Sequence, residues 1–288
     1  MLWFTLSLTA ALSQAVNDTI SKRFFSDLTA YEMGLIRLLF AAPYLFMGLV
    51  FIPRPPLDNT FWLCISCGLP LELCAFLCYM RAIKVSPLSL TIPFLAFTPA
   101  FVILTGFFIL SETLNMYGLT GISLIIVGSY LLNLSSVKHE WLAPVKAIFK
   151  EQGSWLMLLT ALIYSVTATL GKLAIIHSSP QFFAVTYFLF FTIFVILLFP
   201  IMPGAKITHL FKRPVLGVIA GMILATMIFS HTLAISMIEA AYMLSVKRSS
   251  LLFSVLFGAL FFKEKKIKER LLGASTMMCG VLMIGLFG

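Results

Sequence analysis

The sequence predicts an all-α integral membrane protein of ten transmembrane helices in two inverted five-helix repeats. Three observations carry this. Of 288 residues, 60% are hydrophobic and 11% charged, with a mean hydropathy of +1.04. Soluble domains carry about 25% charged residues, so this chain could not clothe a water-facing surface. The apolar residues also gather into runs near the roughly 20 residues that cross a hydrocarbon core. Finally, the second half of the chain repeats residues of the first at a nearly constant offset. So apolar a chain is not a disordered one. Its basic residues sit in short gaps rather than on one solvated face, which speaks against nucleic-acid binding.

The first run, 3–21, follows Met1, Leu2, Trp3 and Phe4, with no basic n-region, so a retained helix is expected and not a cleaved signal peptide. Asp18 and Lys22 near its end are four residues apart, the spacing of a local pair. The second run, 31–52, carries Arg37 about two turns in. The third, 61–83, carries Glu72 near its middle, with Tyr79 on the same helical face. Its cysteines Cys64, Cys67, Cys74 and Cys78 share a face too. Cys64 and Cys78 would lie roughly 21 Å apart along a helix, so the set cannot chelate one ion, and no metal or other cofactor is expected.

The fourth run, 87–110, contains Pro93 and Pro99, each of which removes a backbone donor and bends a helix interior. The fifth, 115–133, and tenth, 271–287, are glycine-bearing, as close-packed membrane helices are. Runs at 154–174, 181–202 and 214–236 follow a charged stretch, with His231 near the end of the last. The ninth run, 238–262, holds Glu239 near its start and Lys247 and Arg248 about nine residues in, near the centre of the membrane. As one continuous helix it would place Lys247, Ser250, Ser254 and Gly258 on a common face.

The charged stretch divides the chain into repeats at 1–137 and 154–288, joined by 138–153. At an offset of 152, Ala82 matches Ala234, Gly106 matches Gly258, Glu112 matches Glu264, Gly121 matches Gly273 and Gly128 matches Gly280. At an offset of 150, Ala11 matches Ala161 and Lys22 matches Lys172. An odd number of spans per repeat inverts the second copy, the architecture of many secondary transporters, whose sites lie at the midplane between repeats. The positions matching Pro93 and Pro99 are Ser245 and Leu251, so bent backbone is expected from the first half and a cationic head from the second.

The segment Tyr79–Lys84, the prolines Pro87, Pro93 and Pro99, Ser111–Glu112 and the glycines Gly121 and Gly128 resemble the EamA-like branch of the drug/metabolite transporter superfamily. The counterpart from Val246 to Gly258, then Phe262 to Glu264, Gly273 and Gly280, resembles it again, as do Lys22, Lys172 and Arg37. The resemblance implies a ten-helix carrier driven by a proton gradient or by exchange. One departure is that Glu112 has no basic neighbour in sequence, whereas Glu264 lies in a lysine-rich stretch.

Ionisable groups at membrane depth are costly and mark function by default. The substrate-binding residues expected are Lys247, Arg248, Ser250, Ser254, Arg37 and Tyr79; Arg248 reads equally as a structural ion-pair member. Glu72, Glu239 and His231 are expected either to handle protons or to form ion pairs. The function expected is secondary transport of a small polar metabolite, anionic or zwitterionic, such as an amino acid. The alternatives are a lipophilic-cation efflux carrier with Glu72 as its carboxylate, or a lipid-linked phosphate translocase or accessory membrane protein. No phosphate-cradling glycine loop with lysine and no HExxH or GxSxG motif supports ATP drive or hydrolysis.

The formal charge of +9 is mostly topology. Apart from Arg37, Lys247 and Arg248 there are 17 cations, of which fifteen fall near the odd-numbered connections and only Arg54 and Lys172 near the even ones. The positive-inside rule then puts the odd connections in the cytoplasm and both termini outside a cell membrane.

Overall fold

The computed structural model describes residues 1–85, 94–134, 152–262 and 267–287. Pro93, Glu264 and most of the 138–153 connection lie outside the described residues. Within them all regular structure is helical: α1 (Leu2–Phe24), α2 (Ala30–Phe51), α3 (Asn59–Val85), α4 (Thr98–Leu110), α5 (Met116–Leu134) and α6 (Gln152–Ile176). There follow α7 (Pro180–Leu197), α8 (Pro214–Ile235), α9 (Ala240–Lys247), α10 (Ser250–Phe262) and α11 (Ile267–Phe287), with short helical turns at Phe199–Ile201 and Ile207–Leu210. Among the described residues five helical stretches are long and apolar enough to cross a membrane: Ala30–Phe51, Asn59–Ala82, Gln152–Ile176, Pro180–Ile201 and Pro214–Ile235.

Local chemistry sets the helix starts. Thr29 and Glu32 form a capping box at α2, each accepting from the other's backbone N–H. Ser179 accepts from Phe182 N–H at the start of α7, and Pro180 and Pro214 occupy first-turn positions whose N–H would be orphaned anyway.

Span nine departs from the single helix expected over 238–262. It stops at Lys247, turns through Arg248 and Ser249, and restarts at Ser250. The Arg248 N–H is shared between the Leu244 and Ser245 carbonyls, and the Ser249 N–H reaches Val246 at 3.0 Å. This tightening to three-residue spacing ends the α-helix. Lys247 and Ser250 therefore belong to different helices. The expectation that only the first half contributes irregular backbone is corrected as well. In span four, Ala96 and Phe97 form a turn before α4 begins at Thr98. The two turns are 152 positions apart, and α4 and α10 are both 13 residues long. Pro99 lies in the first turn of α4, where it starts a helix instead of kinking the interior of one.

The helices pack chiefly across the two halves. The extensive contacts are α5 with α11, α3 with α6, α1 with α8, α2 with α7 and α8, α4 with α6 and α1 with α10. Exchanging α1 with α6, α2 with α7, α3 with α8, α4 with α10 and α5 with α11 returns the same set, to which α3 with α7 completes the match for α2 with α8. The α5–α11 seam is close-packed: a Cβ on Gly128 would lie 2.5 Å from Met277 N and one on Gly280 would lie 2.6 Å from the Gly121 carbonyl. These glycines are packing positions, as expected.

Contacts between connections sort the two ends. Asp27 after α1 pairs with Lys212 and Arg213 before α8, at 3.0 and 2.8 Å. At the other end His177 after α6 lies 2.6 Å from Asp58 before α3. Asn115 there donates to the Phe287 carbonyl, and Phe4 packs at Gly285, so both termini share this end with the even-numbered connections.

Candidate functional site

Between the halves lies a cluster of polar side chains drawn from eight helices. From α1 come Gln14 and Asp18, with Arg37 from α2. The Arg37 guanidinium bonds Asp18 at 3.0 Å, and Gln14 donates to both oxygens of that carboxylate. Arg37 is therefore the long-range partner that Asp18 holds, one that the i,i+4 spacing to Lys22 did not suggest. From α3 come Glu72 and Tyr79. Glu72 faces the Thr167 hydroxyl of α6 and feels the charge of Lys247, while Tyr79 stands among Asp18, Arg37 and Arg248. Tyr164 of α6 and Tyr187 of α7 complete the wall around Glu72.

The cationic side is built by the break in span nine. Lys247 Nζ lies 3.3 Å from His231 Nδ1 of α8. Arg248 sits in the turn itself, and its Nη2 donates to Thr98 Oγ1 at 2.7 Å, joining the turn in span nine to the helix start that follows the turn in span four. Its Nε is buried and, among the described residues, has no hydrogen-bond partner. Tyr79 and Tyr164 are its polar neighbours. The Arg–carboxylate contact of the cluster is thus the one made by Arg37. Neither Arg248 nor Lys247 has a carboxylate at ion-pair distance among the described residues, and Arg248 also keeps an unpartnered buried Nε.

Of the residues expected from sequence, the structure brings together Lys247, Arg248, Arg37, Tyr79, Glu72 and His231. Ser250 is buried in the first turn of α10, and Ser254, half-buried, lies one turn along. Glu239 is not among the cluster: it is the N-cap residue of α9, its backbone carbonyl taking the Tyr242 and Met243 N–H groups. Sequence reasoning missed Gln14, Thr98, Tyr164, Thr167 and Tyr187. The repeat offset contains a signal for most of them. Gln14 and Tyr164 are 150 apart, as are Arg37 and Tyr187, and Tyr79 and His231 are 152 apart. The cluster takes both members of each such pair.

A second polar group lies at the terminus-bearing end. Ser111, with φ at +56°, turns the chain so that Glu112 faces back toward Gly106. The Glu112 carboxylate is paired with Lys172 at the end of α6 and accepts the Ala240 N–H at 3.0 Å, capping α9. Lys172 also donates to the Ile238 carbonyl at 2.6 Å. Glu112, without a cation nearby in sequence, thus has one in space. At the same end a cleft of about 370 Å³ lies between Pro56–Asp58 and Ile176–Ser178. There the Phe61 N–H and then His177 hold the Asp58 carboxyl below the usual carboxylate range.

Residues 1–134 match the EamA-like transporter family. The match covers just under half of the chain. A protein of Archaeoglobus fulgidus named an uncharacterized transporter is 25% identical over 99% of this chain and 98% of its own length. A solved crystal structure shares the fold over 100% of this chain and 98% of that one, with a TM-score of 0.76 at 12% identity. The chain has the all-α fold and the apolar helices of a multi-pass membrane protein, and the proteins it resembles are transporters.

Proposed function

We propose that this EamA-like chain is a secondary active transporter, not an enzyme, that moves a small polar metabolite with an anionic or zwitterionic group by alternating access. Arg248 carries the reading. A guanidinium at membrane depth without a carboxylate is costly, and a ligand carboxylate or phosphate accepting its free donors would supply the missing charge in fork geometry. Lys247 adds a second positive head, and Tyr79, Tyr164 and Thr98 supply hydroxyls for orientation. Segments 1–137 and 154–288 act as inverted repeats. The exchange-invariant packing and the two matched helix turns support this, and inversion supplies the two related states that alternating access needs. Glu72, between Thr167 and Lys247, is the group for proton uptake, with His231 beside Lys247 as its relay; coupling is to protons or to exchange. Both termini lie outside the cell membrane by the charge count.

A lipophilic-cation carrier is the second reading, favoured by the phenols of Tyr164 and Tyr187 around Glu72; the surplus positive charge of the cluster opposes it. The test is ligand-induced thermal stabilisation of purified protein across amino acids, carboxylic acids, phosphorylated metabolites, lipophilic cations and lipid headgroups. Compounds that stabilise are then followed into proteoliposomes. Water-soluble anions or zwitterions are expected to stabilise and to be transported, with Lys247→Ala and Arg248→Lys each lowering uptake about tenfold or more. Stabilisation confined to lipophilic cations or lipid headgroups would overturn the proposal.

A further inference from the structure

We infer that Glu112 and Lys172 form the gate at the terminus-bearing end of the translocation path, an inference that rests on the carrier reading above. The pair joins three pieces of chain at that end. Glu112 belongs to the connection after α4, Lys172 lies in α6 about a turn before its end, Ile238 lies just before α9 and Ala240 begins it. Both side chains are nearly out of solvent, 11% exposed for Glu112 and 12% for Lys172, so the contact is a closed seam and not a surface ion pair. A second tie lies alongside: the Asn115 N–H donates to the Tyr242 hydroxyl at 3.0 Å, and the Tyr242 ring packs against Gly118.

The seam is mechanically linked to the charged cluster by α9. This helix has eight residues, and Ala240 to Val246 are all buried. Its first N–H is held by Glu112. Its last residue is Lys247, followed at once by Arg248, which is bound to Thr98 at the start of α4. Helices α4 and α9 are thus strapped together at both ends: the start of α4 to the end of α9, and the chain just past α4 to the start of α9. An anion that draws Arg248 away from Thr98 loosens one strap. Because α9 is a short rigid element of about 12 Å, the displacement is carried to the other strap, where Glu112 must release either the α9 N-terminus or Lys172. Neither release leaves an equal alternative partner among the described residues, so the seam has two discrete states, made or broken.

The gate is tested without knowing the substrate. In a variant lacking the five native cysteines, Thr167→Cys places a thiol beside Glu72, and a membrane-impermeant maleimide is applied to sealed vesicles of both orientations. Accessibility of a C-terminal tag identifies the terminus-bearing side. With the seam intact, labelling from that side is slower than from the opposite side. Glu112→Gln and Lys172→Gln each raise it about tenfold, with the opposite side not increased. Unchanged labelling in both substitutions, or faster labelling from the terminus-bearing side before either is made, would overturn the gate. Where a substitution at Glu112 or Lys172 prevents folding, the comparison of the two sides in the Thr167→Cys variant with the seam intact still decides. Transport of an identified substrate together with unchanged labelling defeats the gate and leaves the carrier standing; gated labelling with no transported compound in the panel does the reverse.

Discussion

Replacing Arg248 by leucine is expected to leave the ligand-free protein as stable or more stable, while replacing Arg37 by leucine weakens it. Both remove an interior guanidinium, so the contrast isolates the counter-charge. Placing arginine at membrane depth costs about 2.5–3.5 kcal/mol on the insertion scale. The single charge-assisted bond from Arg248 to Thr98 returns about 1.5–3 kcal/mol. Arg248→Leu therefore changes stability by about 0–2 kcal/mol in the favourable direction. Arg37→Leu strands Asp18. Breaking a fully buried pair costs about 3–5 kcal/mol, but the Asp18 side chain is 39% exposed and that of Arg37 15%. Solvent screening brings the expected loss to about 1–2 kcal/mol. The assay is reversible unfolding of both variants in one detergent without ligand, alongside the stabilisation given by any anionic ligand found. Arg248→Leu abolishes the ligand response. If it instead unfolds as readily as Arg37→Leu, Arg248 already has a counter-charge and the argument for an anionic substrate fails.

Two further outcomes follow from the packing and from the connections. Gly280→Ala puts a methyl 2.6 Å from the Gly121 carbonyl and 3.0 Å from Ile125 N; two helix backbones must separate, and a loss of about 1–3 kcal/mol is expected in thermal or denaturant unfolding, whereas a neutral result would show that the seam is loose. Lys212 first, and then Arg213, hold the Asp27 carboxyl down to about 2 against an ordinary 3.8. A depressed carboxyl stabilises the fold above its unfolded value and stops doing so as pH falls through its folded one. The thermal midpoint of Asp27→Asn should thus lie below that of the unsubstituted protein at pH 6, with the gap closing between about pH 4 and pH 2; a gap that widens on acidification would count against the pairing.

Much of the architecture was legible because apolar run length is a strong physical signal in a membrane protein. Helix ends fell within a few residues of the expected span at α1, and likewise at α2, α3 and α8, where capping residues or prolines mark the start. Span nine was misjudged as one helix because nothing in Ser245–Ser250 resembles a breaker: no proline or glycine stands there, and the turn is made by backbone tightening in a packed environment. The charged cluster was half legible. Lys247, Arg248, Arg37 and Glu72 announce themselves as charges in apolar runs. Tyr164, Tyr187 and Thr98 do not, since tyrosine and threonine are unremarkable in such runs and only the fold brings them together. The partner of Glu112 was illegible for a different reason. Local sequence shows no cation near it, and the partner that neutralises it, Lys172, is 60 residues away.

The cross-half packing also bears on how the chain is made. When the first five runs have left the ribosome, the surfaces that α1, α2, α3 and α5 will finally cover still belong to helices not yet synthesised. Asp18 and Arg37 can meet at that stage, but Glu112 has neither Lys172 nor Ala240, and the glycine seam of α5 faces lipid. The early intermediate is therefore a loosely associated set of helices carrying unneutralised charge, and it depends on prompt synthesis of the remainder. Insertion machinery that shelters polar membrane segments, and proteases that remove orphaned ones, would act most strongly in this interval. A slow or truncated translation event near the middle of the message should accordingly yield degraded protein and no stable half-transporter.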